Sequence, residues 1–265
     1  MKGDVQSIEE ILCTAPRGVV SFTGGGGKTS LMFHLAHRLA RSGKRVLTTT
    51  TTKIFVPGPD QSQTVLVNAD PEAILMQVFC DLNATSHITA AAHNLDNGKL
   101  QGFDPEVIRI FRESGQFDWI LVEADGAARR PLKAPAGHEP VIPPDTSVLV
   151  AVAGLEVLGQ PLSEELVFRS GLAGPLMGLA MGEIITESAL ARLIAHPHGS
   201  FKGAPLHARR FIFLNKADSP ERIERGGRVA GHLRQMESPA AEALIIGQAL
   251  DGVTVHAVHP LVVRK

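Results

Sequence analysis

The chain has 265 residues, with 26 basic and 27 acidic side chains and a formal net charge of −1. Its length suits one large α/β domain or two small ones, and it is long enough to bury a generous core. The balanced charge excludes the strong positive field with which proteins attract nucleic acid or anionic membranes, so we expect neither as a partner.

The N-terminal segment and the cysteines indicate a cytoplasmic protein. Residues 1–11 carry three acidic side chains and no apolar core, unlike a signal peptide, and no apolar stretch approaches membrane-spanning length. Cys13 and Cys80 lie far apart and outside any Cys-x-x-Cys pair. We therefore expect reduced thiols, with neither a disulfide framework nor a thiolate zinc site.

The first predicted elements are a strand over residues 18–22 and an amphipathic helix over residues 31–39, joined by a glycine-rich loop. The loop and the helix start read Gly24, Gly25, Gly26, Gly27, Lys28, Thr29 and Ser30. Glycines let backbone N–H groups turn inward, and a helix start adds the positive end of its dipole. Lys28 would reach the outer phosphates and Thr29 would ligate magnesium, so the segment predicts a nucleoside triphosphate site.

This phosphate-loop pattern departs from its strict form at one position. The strict pattern has glycine five residues before Gly27, where this chain has Phe22. The alternative interpretation is a plain glycine-rich turn between a strand and a helix. Gly-Lys-Thr at the strand-to-helix junction favours a variant phosphate loop.

A second strand, predicted from residue 45, runs into a series of threonines. Thr48 to Thr52 and then Lys53 follow its apolar start. In an open parallel sheet, ligands bind at the carboxyl ends of the strands. One of the five threonines could therefore supply a switch hydroxyl to magnesium or phosphate, although the sequence does not select one.

The next elements alternate between helix and strand. We predict a loop over residues 57–62, a strand over 64–67, a helix over 71–82 and another over 104–113. Residues 87–102 fit a hairpin that turns at Asp96-Asn97-Gly98, which suits positive dihedral angles. Residues 117–122 form an apolar run, as expected for a central strand covered on both faces.

Acidic residues end that central strand. Glu123 and Asp125 are followed by Gly126, which matches the second phosphate-site element of P-loop NTPases. An acid there holds magnesium directly or through water, and the glycine N–H can contact the γ-phosphate. The alternative is an ordinary Asp-Gly turn.

A long proline-rich loop, residues 127–145, follows these acids. It is too long for a simple connector and contains Arg129, Arg130, Lys133, His138 and Glu139. The basic residues, with Lys53, would neutralise transferring phosphate or bind an anionic partner, and the His-Glu pair would take part in proton transfer. The alternative for all of them is a solvated surface.

The C-terminal part continues the α/β alternation. We predict strands over residues 147–152, 211–214 and 253–258, with helices over 186–195, capped by Thr186, and from Ser219-Pro220. Residues 163–181 resemble a helix interrupted by Gly171, Gly174 and Pro175, and 197–205 a loop. With no repeat or linker, we expect a single α/β domain over residues 1–265, with a mostly parallel sheet flanked by helices on both faces.

The segment after the 211–214 strand indicates which purine base the expected nucleotide carries. Asn215, Lys216 and Asp218 are spaced so that the aspartate accepts both N1–H and N2–H of guanine, the asparagine orients the loop and the lysine stem covers the base. Adenine lacks that donor pair, so the segment favours GTP over ATP. The alternative is that Asp218 or Ser219 only caps the following helix.

Two longer stretches carry a family resemblance. They are Glu-Ala-Asp-Gly-Ala-Ala-Arg-Arg-Pro-Leu-Lys-Ala-Pro at residues 123–135 and Phe-Leu-Asn-Lys-Ala-Asp at residues 213–218. With these motifs the chain resembles the YqeC family, described as accessory proteins of selenium-dependent molybdenum hydroxylases. It is also similar to P-loop NTPases that mature metalloenzymes and use Glu-x-x-Gly in place of Asp-x-x-Gly. The resemblance implies a client molybdenum hydroxylase and, by analogy, a homodimer.

Three hypotheses of function follow. The first is a magnesium-dependent GTPase or NTPase in which Lys28 offsets phosphate charge, Thr29 with Glu123 or Asp125 holds the ion, and one acid places water. The second is a small-molecule or cofactor kinase or nucleotidyltransferase whose acceptor binds the 127–145 loop. The third is a non-catalytic, nucleotide-gated binding module.

Overall fold

The computed structural model describes residues 6–81, 85–236 and 241–261. Residues 1–5 of the N-terminal segment and the last residue of the predicted 71–82 helix lie outside these ranges. None of the helices in the described ranges has the length and apolar character needed to cross a membrane.

The described ranges form fourteen strands and seven α-helices, numbered in chain order. The strands are β1 Gly18–Gly24, β2 Val46–Thr50, β3 Lys53–Phe55, β4 Val65–Val67, β5 His87–Ala91, β6 His93–Leu95, β7 Lys99–Gln101, β8 Trp119–Glu123, β9 Leu132–Lys133, β10 Val148–Gly154, β11 Val167–Phe168, β12 Arg209–Asn215, β13 Ala243–Ala249 and β14 Val253–Pro260. The helices are α1 Ile8–Leu12, α2 Lys28–Arg41, α3 Pro71–Asp81, α4 Ile108–Glu113, α5 Ser170–Met177, α6 Glu187–Ala195 and α7 Pro220–Arg234.

One nine-stranded sheet organises the structure, in the order β14-β13-β12-β10-β1-β8-β2-β5-β4. Every neighbouring pair is parallel except β13 and β14. The first strand therefore lies near the middle, with β8 on one side and β10 on the other. Since parallel strands end at one edge, the segments that follow β1, β8, β10 and β12 lie together at that edge.

Helices cover both faces of the sheet because side chains alternate along each strand. Val20 and Phe22 of β1 pack with α1 and α2, whereas Val19 faces the opposite side, which α3 and α4 cover. Further along that second face, α5, α6 and α7 pack on β10, β12 and β13. The predicted α/β class, with a mostly parallel sheet and helices on both faces, is confirmed.

The predicted 87–102 hairpin is correct only in its second half. Residues His87–Ala91 instead form β5, which pairs in parallel with β2 and β4 in the large sheet. Strands β6 and β7 form the hairpin, with its turn at residues 96–98, and β3 adds to make a small antiparallel sheet. The burial of β5 on both of its faces accounts for the difference, because a strand buried on both faces belongs inside a parallel sheet.

Two other predictions need correction. Strand β13, residues Ala243–Ala249, is absent from the sequence interpretation, although it lies between β12 and β14. Residues 163–181 contain the short strand β11 and then α5, which continues through Gly171, Gly174 and Pro175. A Cβ at Gly174 would lie 2.7 Å from the carbonyl oxygen of Leu179, so this glycine permits a close approach rather than breaking the helix.

Helix α6 offers a direct test of the local energetics. The Thr186 hydroxyl accepts a hydrogen bond from the Ala189 amide at 3.2 Å and caps the helix, as the sequence predicts. We expect Thr186→Ala to lower the free energy of unfolding by about 1 kcal/mol, measured by urea titration. Thr186→Ser, which keeps the hydroxyl, is the control. Equal stability of the alanine and serine variants would contradict the assignment.

Candidate phosphate-binding site

The glycine loop connects β1 to α2 with a backbone that only glycine fits. Gly26 and Gly27 have φ values of +73° and +114°. A Cβ on Gly26 would lie 2.4 Å from the backbone nitrogen of Gly154, and one on Gly27 would lie 2.3 Å from the amide nitrogen of Asn215. Two physical demands, positive φ and close packing, therefore require the glycines here.

Phe22 does not disturb the loop, although it replaces a glycine of the strict pattern. β1 continues to Gly24, so Phe22 lies inside the strand, in register with Glu123 and Val150 of the two neighbouring strands. Its side chain is fully buried in the core on the α2 face. The loop therefore begins two residues later than the strict pattern places it.

The start of α2 presents backbone amides toward the cavity. Among the described residues, the first amide of this helix with a backbone acceptor is that of Leu31, which donates to the Gly27 carbonyl at 3.0 Å. The amides before it, at Lys28, Thr29 and Ser30, belong to the first turn, where no intrahelical acceptor exists. Such a turn combines free donors with the positive end of the helix dipole and so suits an anion.

Lys28 is buried among opposite charges. Its side chain is 4% exposed, and its Nζ donates to the Gly24 carbonyl at 2.6 Å and lies 3.2 Å from Asp125 and 3.8 Å from Glu123. Burial alone would lower the pKa of Lys28, but the two carboxylates outweigh it and raise this pKa above its usual value. The side chain therefore carries a full positive charge at the mouth of the loop.

Glu123 ends β8 beside the loop and faces the same cavity as Thr29. Its Oε2 accepts a hydrogen bond from the Thr29 hydroxyl at 2.6 Å. Burial raises the pKa of Glu123, and the Lys28 charge and the Thr29 hydrogen bond partly oppose that shift. A carboxylate and a hydroxyl in contact are hard oxygen donors, so this pair fits a magnesium ion in its chemistry.

Asp125 occupies a different position. It is 2% exposed and lies beneath the loop, where its Oδ2 accepts from the Gly24 amide at 3.1 Å and lies 3.1 Å from Lys133. Its other oxygen faces Lys28. The two acids of the predicted motif thus separate: Glu123 lines the cavity, and Asp125 ties the loop to the residues behind it.

The proline-rich loop closes around Asp125 through a buried ion network. Lys133 is almost fully buried, donates to the Gly126 carbonyl at 2.6 Å and lies 2.9 Å from Glu139, which also pairs with Arg169. The expectation that Lys133 neutralises a bound phosphate is therefore wrong. This lysine lies behind the loop, where it already pairs with the carboxylates of Asp125 and Glu139. Gly126, by contrast, lines the cavity.

The cavity at the glycine loop has a volume of about 640 Å³ and is strongly cationic. Six of its sixteen lining residues are basic and one, Glu123, is acidic. The basic residues are Lys28, Lys53, Lys99, Arg129, Arg130 and Lys216. A concave surface with this excess of positive charge favours a polyanionic ligand.

The five threonines from Thr48 to Thr52, three at the end of β2 and two after it, do not line this cavity. Thr49 and Thr51 donate to the carbonyls of Ala90 and Val141, at 2.8 and 2.6 Å. Thr50 donates to the Glu123 carbonyl at 2.7 Å. None of the five threonines lines the cavity, so the expectation of a switch hydroxyl among them is not met: their hydroxyls bond neighbouring strands and loops.

The 215–218 segment touches the phosphate loop through its asparagine. Asn215 is 2% exposed, donates to the Gly26 carbonyl at 2.7 Å and accepts from the amides of Lys216 and Ala249, at 2.8 and 2.9 Å. Lys216 lines the cavity and pairs with Glu156. Asn215 therefore connects three chain segments at the loop.

Asp218 lies farther from the glycine loop than Asn215 and does not line the phosphate cavity. Its two oxygens accept hydrogen bonds from Arg222, at 2.7 and 2.8 Å, and its side chain is 51% exposed. It lines a neighbouring cavity of about 450 Å³, which Glu156 also borders. The segment predicted to read guanine thus spans two adjoining cavities.

The sequence interpretation missed Ile54, Phe55 and Lys99, which also line the phosphate cavity. Phe55 and Lys99 enter it from the small β3-β7-β6 sheet, which forms only because the predicted hairpin returns to β3. The only sequence signal was the alternation Lys53-Ile54-Phe55, which places its first and third side chains on one face of a strand.

The ion network makes stability depend on pH in a defined direction. Burial alone would raise the pKa of Glu139, but hydrogen bonds from Arg169 and Lys133 outweigh it and lower the pKa from 4.5 to about 2. A lowered folded-state pKa contributes stability that is complete above the unfolded value and is lost as pH falls toward the folded value. We expect Glu139→Gln to cost about 1–3 kcal/mol near neutral pH and clearly less near about pH 3.

Urea unfolding of both proteins at the two pH values measures this difference. Glu113→Gln, which alters an exposed glutamate at the end of α4, is the control and should change stability little at either pH. A Glu139→Gln deficit of the same size at both pH values would contradict the assignment.

Taken together, the sheet and the site define the P-loop NTPase fold: a mostly parallel sheet, a glycine loop with a lysine at the start of the first long helix, and an acid ending the adjacent strand. The chain belongs to the YqeC family. The family's sequence model, described as YqeC protein, matches residues 20–171. The uncharacterized protein YqeC of Escherichia coli (strain K12) is 36% identical over 249 residues, covering 93% of this chain and 91% of that one.

Two solved structures that are similar to this chain are related to it only distantly. The MinD cell division protein of Aquifex aeolicus has a TM-score of 0.40 and 16% identity, covering 86% of this chain and 81% of that one. Chloroplast FtsY of Physcomitrella patens has a TM-score of 0.41 and 15% identity, covering 92% of this chain and 63% of that one.

Proposed function

We propose that this protein binds a nucleoside triphosphate with magnesium, prefers GTP to ATP, and hydrolyses it. The observation that carries the proposal is the convergence of Lys28, the Thr29–Glu123 pair and the first amides of α2 on one cationic cavity. Each group suits one part of a magnesium–triphosphate ligand.

The roles follow from which groups face the cavity. Lys28 would leave the Gly24 carbonyl for the outer phosphates and offset their charge as the bond to the γ-phosphorus breaks. Thr29 and Glu123 would hold magnesium, directly or through water, and the ion would supply charge to the phosphate oxygens. Asp125, enclosed by Lys28, Lys133 and the Gly24 amide, would position the loop rather than touch the ligand.

The preference for guanine rests on Asn215, Lys216 and Asp218. Asn215 holds this segment against the phosphate loop, which suits a ligand that spans both. Both oxygens of the half-exposed Asp218 carboxylate accept hydrogen bonds from Arg222. The N1–H and N2–H of guanine would donate to the same two oxygens, in place of Arg222 or beside it.

The client, assembly and location are further parts of the proposal and rest on the family resemblance. Members of the family are described as accessory proteins of selenium-dependent molybdenum hydroxylases, so the nucleotide cycle would assist maturation of such an enzyme in the cytoplasm. A homodimer follows by analogy with related metalloenzyme maturation proteins. Nucleotide turnover measured with and without the client enzyme tests this part.

Replacing Lys28 tests the nucleotide site itself. We expect Lys28→Ala to weaken binding of a fluorescent GTP analogue by about 100-fold, because it removes a buried charge aimed at the phosphates. Arg41→Ala, at the exposed end of the same helix, should bind as the parent protein does. Circular dichroism of both variants checks that they fold. Unchanged affinity in a folded Lys28→Ala protein would remove the proposal.

Replacing Asp218 tests the proposed preference for guanine. An amide at this position can donate to the C2 carbonyl of xanthine but cannot accept both guanine donors. We therefore expect Asp218→Asn to weaken GTP binding at least about tenfold and to strengthen XTP binding, by calorimetry. Glu221→Gln, in the same cavity, is the matched control. Equal affinities of the parent protein for GTP and ATP would remove the guanine claim while leaving the phosphate site intact.

A further inference from the structure

The strand order separates the phosphate cavity into two sides. From β1, the sheet runs through β10 to β12 in one direction and through β8 to β2 in the other. Asn215 and Lys216 follow β12, so the proposed base lies on the first side. Lys53 and Phe55 follow β2, on the second side, beyond the acid that ends β8. This second side is not needed to recognise a base.

The small sheet presents one polar face on that second side. Lys53 and Phe55 lie two residues apart on β3 and therefore share a face. Phe55 pairs with Lys99 across β7, so Lys99 lies on that face as well. The intervening Ile54 and Leu100 are buried on the opposite face, against Ala91. The register thus brings two lysines and a ring together at the cavity.

Arg129 completes this surface from the proline-rich loop. Its guanidinium carbon lies 4.5 Å from the centre of the Phe55 ring, and the Lys99 Nζ lies 4.9 Å from it. Phe55 is 46% exposed, so one face of its ring is open to the cavity and solvent. Here the ring holds two cations by cation–π contacts and orients them at the cavity wall.

Two observations indicate that these cations await a ligand. Within the described ranges, Lys53, Lys99 and Arg129 form no ion pair, whereas Lys28 and Lys133 each pair with two carboxylates. Ala128 and Arg129 also have φ values of +48° and +61°. Consecutive left-handed residues other than glycine store strain, which is typical of binding and catalytic positions.

We propose that Lys53, Phe55, Lys99 and Arg129 form a second subsite that binds a small phosphate-bearing ligand beside the γ-phosphate end of the nucleotide. The subsite lies inside the same cavity as the phosphate loop, which favours a small molecule over an acidic peptide. Asp218, the proposed base contact, lines the neighbouring cavity instead. The cavity of about 640 Å³ therefore has room for the phosphate chain and a second anion together.

This inference rests on the proposed function, and its test separates the two. Protein saturated with magnesium and a non-hydrolysable GTP analogue is titrated calorimetrically with inorganic pyrophosphate, so that the phosphate loop is already filled. We expect saturable binding that weakens at least about tenfold in Lys99→Gln and in Arg129→Gln. Lys44→Gln makes the same charge change before β2, at the opposite edge of the sheet, and should bind as the parent protein does.

Analogue affinity is measured in the same variants, and pyrophosphate affinity should fall by a clearly larger factor than analogue affinity, since both residues lie on the side away from the base. If the analogue binds but pyrophosphate does not, up to about 10 mM, the subsite is wrong and the proposed function stands. A second titration uses protein without the analogue. If pyrophosphate binds that protein but not the analogue-loaded one, the probe occupies the phosphate loop and the subsite is overturned. Failure of the analogue itself overturns the proposed function and this inference with it.

The chemical class of the ligand is tested by a second probe. A tetraglutamate peptide should bind the analogue-loaded protein more weakly than pyrophosphate. Tighter peptide binding with the same dependence on Lys99 and Arg129 would assign the surface to an acidic protein segment and overturn the small-molecule proposal.

Discussion

The ligand edge of this protein depends on a buried set of alternating charges. Asp125 lies between Lys28 and Lys133, and Glu139 lies between Lys133 and Arg169. Burying any one of these charges alone would cost several kcal/mol, so each needs its neighbour. The network thereby joins the start of α2, the end of β8 and the proline-rich loop into one unit, and it keeps Lys28 charged where a phosphate would meet it.

Asn215 performs a similar task with a neutral side chain. One buried amide bonds the glycine loop, its own following residue and the end of β13. The segment proposed to bind the base and the loop that would bind the phosphates are therefore held at a fixed spacing. A rigid spacing of this kind reduces the freedom that a two-part ligand must lose on binding.

The sequence was most informative where the chemistry is local. Gly26, Gly27, Lys28 and Thr29 are consecutive, and the apolar strand before them is unambiguous, so the phosphate loop could be predicted despite Phe22. Glu123 and Asp125 could not be separated in the same way, because the strand ends between them and alternation no longer fixes their directions. Phe55 and Lys99 were missed because an antiparallel pairing across 44 positions brings them together, and β5 had been assigned to the wrong sheet.

Three backbone segments meet at the glycine loop with no side chain between them. Gly25 donates to the Val152 carbonyl, Gly26 to the Arg130 carbonyl and Gly154 to the Pro131 carbonyl, at 2.9 to 3.0 Å. Such a junction cannot widen without breaking hydrogen bonds in all three segments. The backbone floor of the cavity is thus fixed in shape, so an anion that binds there must fit it as it stands. Any movement that accompanies binding must come from the side chains and loops above the floor.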